Sequence, residues 1–159
     1  MDFELTPPNG LTGFPLGAPA QDVKSAAAAL GRVTVRNEGS ASQFGYMTVT
    51  ALHPQFEIVC HLEDGRTLTA AEVWIPRPGP EEITVRFRGL DVFRTPARAL
   101  VEQLTASGLT VTQDEPNHWI VPDLSLGFGR VAGHDVPLDT DGRPLYFQSA
   151  LTGPADYYA

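Results

Sequence analysis

The chain holds one cysteine, Cys60, and one lysine, Lys24, among 159 residues. A lone thiol excludes an intramolecular disulfide framework. The other basic residues are all arginine, a bias that points to high-GC bacterial coding. Nineteen acids against eleven bases leave a formal charge of −8. Nucleic-acid binding is therefore not expected, because its affinity rests on lysine and arginine neutralising phosphates. No apolar run approaches the roughly 18 residues of a membrane span. The opening MDFELTPPNG has acids where an export signal has a basic segment. These absences predict a cytoplasmic protein with neither a membrane nor a nucleic-acid partner. They leave room for a basic protein partner, since complementary charge steers association.

What is present is ordinary globular material. Hydrophobic content of 42% with 19% charged residues can bury a real core, either as one domain or as two small fused units. The most informative stretch is GLDVFRTPARALVEQLTASGLTV (89–111). Thr95 and Pro96 read as a helix start, with threonine able to accept from a free N–H and proline suited to the first turn. Ala97, Leu100, Val101 and Leu104 recur on one helical face, and Gly108 is a stop.

An earlier stretch repeats the plan. A short strand and turn at 14–19 lead into a helix from Pro19 to Leu30, with Ala20, Val23, Ala27 and Leu30 inward and Gly31 as its end. Strands are predicted at 33–36, 44–52, 56–62 and 67–75. The last two flank Asp64-Gly65, a hairpin-turn signal. PRPGPEE (76–82) breaks the pattern and marks the boundary. Beyond it, strands are predicted at 83–88, 109–112, 118–121, 124–131 and 144–151. The organisation expected is an irregular lead-in at 1–13, units at 14–79 and 80–151, and a tail at 152–159 that either packs through Tyr157 and Tyr158 or frays.

Displacing the sequence by 77 positions superposes Pro19-Ala20 on Pro96-Ala97, Gly31 on Gly108, Asp64-Gly65-Arg66 on Asp141-Gly142-Arg143, and Leu68 on Leu145. Fixed-period self-similarity is the mark of duplicated units. Each unit would be a strand, a helix and a run of antiparallel strands. The fold class expected is α+β: two helices on one face of an extended antiparallel sheet, with the opposite face open. The repeat length and the segments Pro19–Gly31 and Pro96–Gly108 resemble the tandem helix-plus-meander repeat of the β-lactamase inhibitor protein-like family. That resemblance implies a fold suited to blocking a partner. The family is secreted and pairs cysteines within its repeats; this chain departs on both points, and no inhibitory residue carries across.

Chemistry is sparse. Cys60 and His61 are neighbours on a strand, so their side chains point to opposite faces and form no nucleophile–base pair. His53, His118 and His134 lack partners at helical or strand spacing. His134, Asp135, Asp139 and Asp141 form the densest group of metal-ligand types, and DTDG (139–142) resembles the start of a calcium loop. No glutamate follows to complete such a loop, so it reads as a polar hairpin. Serines 107, 125 and 149 lack a nucleophile elbow. No catalytic residue, metal or cofactor is expected.

The candidate site is an aromatic anchor ringed by acids: Trp119 with Asp114, Glu115, Asp123 and His118. The reading is a non-catalytic protein-binding module, an inhibitor or immunity protein occluding a basic partner such as a toxin. One alternative is a small-ligand-binding or hydrolytic protein with a cavity between helix and sheet and His118 or His134 as base. The other is a structural subunit whose open face closes on a copy of itself.

Overall fold

The computed structural model describes residues 1–37, 45–131 and 136–158. In chain order the first half contains β1 (Asp2–Thr6), β2 (Gly10–Leu11), β3 (Phe14–Pro15), α1 (Ala20–Leu30), β4 (Arg32–Asn37), β5 (Met47–Leu52), β6 (Glu57–Leu62) and β7 (Ala70–Trp74). The second half contains β8 (Thr84–Phe87), β9 (Leu90–Asp91), α2 (Ala97–Ala106), β10 (Thr112–Glu115), β11 (His118–Val121), a 3₁₀ turn at Pro122–Leu124, β12 (Leu126–Gly129) and β13 (Ser149–Thr152). The class is α+β. PRPGPEE lies between β7 and β8.

The strands form two sheets, not the single one expected. An eight-stranded sheet runs β10-β11-β12-β13-β7-β6-β5-β4, antiparallel throughout. A five-stranded sheet runs β3-β2-β1-β8-β9, and its β1–β8 pair is parallel. Each half thus supplies a hairpin, a helix and a four-strand meander in the same order. The hairpins meet at β1–β8 and the meanders at β7–β13. The first helical residues, Ala20 and Ala97, stand 77 apart (97 − 20), but β6 and β12 start 69 apart (126 − 57).

Both helix starts are tied down from a distance. Pro19 and Pro96 occupy the N-cap positions, and neither helix has a side-chain cap, so the bond expected of Thr95 is not made. Instead the first helical amides donate to carbonyls of a later turn: Ala20 N–H to Arg66 O at 2.8 Å, and Ala97 N–H to Leu145 O at 2.8 Å. Those turns are built alike. Asp64 Oδ1 accepts from the amides of Arg66 and Thr67, and Asp139 Oδ1 from those of Asp141 and Arg143. A short acid side chain commonly closes a turn in this way.

Three sequence expectations are corrected. Residues 1–13 are not irregular, because Phe3 and Leu5 alternate inward on β1 and are buried. The strand expected at 109–112 lies at Thr112–Glu115, an exposed edge strand with no apolar alternation to reveal it. The final strand is Ser149–Thr152; before it, Phe147 enters the core and the Pro144 carbonyl accepts from Arg130. The start expected for the 44–52 strand, Phe44, lies outside the described residues.

One core joins the halves. Val23 and Ala27 of α1 pack with Val49, Ala51, Ile58 and Cys60, in the same cluster as Phe3, Leu5, Val85, Leu100 and Leu104. Register sets which side of the large sheet faces it. Trp119, Phe128, Ala150, Val73, Ile58 and Ala51 stand in one row across the strands. Side chains alternate along a strand, so their neighbours face away from the helices.

Candidate functional site

On the outward face, register aligns Glu115, His118, Gly129, Ser149 and Trp74, and on the neighbouring strands Glu57, Leu52 and Arg32. The adjoining row holds Ile120, Gly127, Leu151, Glu72, Val59 and Thr50. Leu52, Val59, Trp74, Ile120 and Leu151 are only partly buried. The face is therefore mixed apolar and acidic, and neither helix covers it.

A polar cluster sits at its centre. Glu72 and Trp74 are two apart on β7 and share the outward side. Burial pushes the Glu72 carboxyl above the ordinary carboxylate range. The C-terminal tail lies over this region. Tyr157 N–H donates to Ser125 Oγ at 3.2 Å, and the Tyr158 ring lies 6.0 Å from that of His118. A side chain at Gly127 would collide with the Tyr158 hydroxyl, so glycine there makes room for the tail. Burial also raises both tyrosine hydroxyls above their ordinary range. Of the two outcomes expected for the tail, packing through Tyr157 and Tyr158 is the one observed.

His118 has a partner that strand spacing did not reveal. Its Nδ1 lies 3.0 Å from Asp114 Oδ2. The register of β10 shifts between Gln113 and Glu115, and this bulge brings Asp114 beside His118 across the Pro116–Asn117 turn. An imidazole oriented by a carboxylate is half of a base relay. No nucleophile is hydrogen-bonded to it among the described residues. His61 pairs with the Tyr46 hydroxyl at 3.0 Å, and His53 stacks on Phe56 with ring centroids 4.5 Å apart.

The five residues expected to form one patch are divided by the sheet. Asp114, Glu115 and His118 belong to the outward side, and Asp123 is exposed on the 3₁₀ turn. Trp119 points the other way. Its ring meets Phe147 edge-on at 5.7 Å and lies 4.5 Å beneath the Arg130 guanidinium. Successive residues of a strand must diverge, so His118 and Trp119 cannot share a surface. Trp74, at the middle of the outward face, is the aromatic that the sequence reading left out of its patch. The signal that could have found it is the alternation of Glu72 and Trp74 with buried Ala71 and Val73.

On the helix side, Trp119 and Phe147 floor a groove of about 510 Å³ beside Ala97, Arg98, Val101 and Glu102 of α2. Asp139 and Asp141 belong to the turn at its rim, and their carboxylates serve that turn and Arg98. Among the described residues no three His, Cys, Asp or Glu side chains gather as a metal site. His134 and Asp135 lie outside the described residues. No helix among the described residues is long and apolar enough to cross a membrane. Comparison with protein-family models, curated proteins and solved structures gives no match to this chain.

Proposed function

We propose that the protein is a non-catalytic binding module that engages a protein partner through the outward face of the eight-stranded sheet. The observation that carries this reading is the helix-free face itself, where half-buried Trp74, Val59, Leu151 and Ile120 lie around Glu72 and are bordered by Glu57, Asp114 and Glu115. An aromatic centre within a polar rim is the usual make-up of an interaction hot spot. Trp74 replaces Trp119 as the anchor, because Trp119 is on the helix side. The acids on the face and the charge of −8 favour a basic partner, as an inhibitor or immunity protein would have.

The fold is proposed to have arisen by duplication. The repeated order of hairpin, helix and meander supports this, as do the matching amide-to-turn bonds of Ala20 and Ala97. The resemblance to inhibitor proteins of tandem helix-plus-meander build belongs to the same proposal.

Capture from lysate of the source cell tests the face. Wild type is compared with Trp74→Ala/Glu57→Ala and with Trp119→Ala as an opposite-face control. Loss of a bound protein by the first variant and retention by the second supports the reading. Equal retention by both, with both folded, rejects the face. Sedimentation across a concentration series separates a foreign partner from self-association.

A further inference from the structure

The groove beneath α2 is independent of the outward face and has a chemistry of its own. The two helices seat differently. α1 buries Val23 and Ala27 on its meander; α2 buries Ala97, Leu100 and Leu104 in the same core and leaves about 510 Å³ beside it, over Trp119 and Phe147. That is the size of a small-molecule site. Arg98, Arg130 and Arg143 all line it, three of the eleven basic residues of a chain whose net charge is −8.

Arg130 is the telling member. It is only 8% exposed, yet its guanidinium is poorly matched. Nη1 donates to the Pro144 carbonyl at 3.1 Å, and Asp139 Oδ2 stands at 3.6 Å, beyond a good hydrogen bond. Nε is buried with no partner. Guanidinium has five N–H donors, and one hydrogen bond accounts for one of them. Burial lowers the affinity of this group for its proton, and the Asp139 carboxylate opposes that shift. The nearby acids are shared with other partners. Asp139 Oδ1 holds the amides of Asp141 and Arg143, and Asp141 pairs with Arg98 at 2.8 Å. Among the described residues the Arg143 side chain has no ion-pair partner.

We infer that this groove binds a small aromatic carboxylate, its anionic group taken by Arg130 and Arg143 and its ring lying on Trp119 and Val101, with the fully buried Phe147 behind Trp119. A carboxylate fits the fork of a guanidinium, and the aromatic floor takes a flat body. Glu102 at the margin disfavours a more highly charged ligand, which selects a monoanion over phosphate.

Sodium benzoate is the probe. Its addition to the wild-type protein is followed by the two indole N–H resonances, with Trp74 on the far side of the sheet as internal control. The expected result is a saturable shift of the Trp119 signal alone, at millimolar benzoate, with no such shift from inorganic phosphate at matched ionic strength. Arg143→Gln, an exposed position, should weaken binding about tenfold, the loss of one charge-assisted hydrogen bond. Arg130→Gln should abolish it; if that variant does not fold, the Arg143→Gln result decides. A Trp119 shift that never saturates, an equal response to phosphate, or unchanged affinity in Arg143→Gln would overturn the assignment.

Discussion

The Arg130 guanidinium lies 4.5 Å from the centre of the Trp119 ring, and by that contact Trp119 belongs to the helix side of the sheet. His118, one residue earlier, is hydrogen-bonded to Asp114 on the opposite side. A cation held over an indole away from water contributes on the order of 1–2 kcal/mol. Trp119→Phe keeps an aromatic ring under Arg130 and should cost about 1 kcal/mol, whereas Trp119→Ala should cost about 3 kcal/mol. Urea unfolding monitored by circular dichroism gives both values; equal losses would mean that the stack contributes nothing.

Thr152 is fully buried and its hydroxyl has no hydrogen-bond partner. Its row is apolar, running through Leu126, Ala71 and Cys60. Thr152→Val keeps the shape and removes the stranded hydroxyl. Stability should rise by about 1 kcal/mol, or roughly 2–4 °C in Tm for a chain of this size. A fall in Tm would indicate that the hydroxyl is satisfied in solution.

Glu72 is held above its ordinary titration range by burial. The folded state therefore grips the proton more tightly than the unfolded chain does. Its contribution to stability is full below the unfolded carboxyl value, near pH ~4.3, and is lost as pH rises through the raised folded value. At neutral pH the buried charge is a burden, so Glu72→Gln should raise Tm there by a few degrees, roughly 2–4 °C per kcal/mol gained. The gain should shrink towards zero in acid. Melting curves across pH test the sign, and a gain that grows in acid would contradict it.

Cys60 is buried in the core and its thiol is pushed up to about 12 by the loss of hydration. The thiolate is the reactive form, so the native protein should resist alkylation at pH values near 8. In denaturant it should react at the rate of a free thiol. Mass spectrometry after a brief iodoacetamide pulse distinguishes the two states; rapid native labelling would show that the core opens locally.

Several elements were legible because one local rule decided them. Pro19 and Pro96 with Gly31 and Gly108 bounded the helices to within two residues. Alternation identified β6, and Asp64-Gly65 its turn. β10 was misplaced because TQDE is exposed throughout and carries no apolar signal. The hairpin β1–β2 was hidden by Pro7, Pro8 and Gly10, which suggest an irregular chain unless Phe3 and Leu5 are weighed as one buried face. Asp114 and His118 stand four apart, a helical spacing, but lie on two paired strands, where a turn and a bulge set them together.

Sequence alone determined the class, the two helices and the exclusion of an intramolecular disulfide, because composition, period and turn chemistry act over a few residues. Only the tertiary structure decided that the strands split into two sheets, that Trp119 and Asp114 stand on opposite faces, and that Arg98, Arg130 and Arg143 meet in one groove. The reason is range. Pairing of β1 with β8 and of β7 with β13 joins residues some eighty positions apart, and no local pattern encodes which distant strand will be the neighbour. Register between such strands then chooses the face of every side chain, since a shift of one residue turns a strand over.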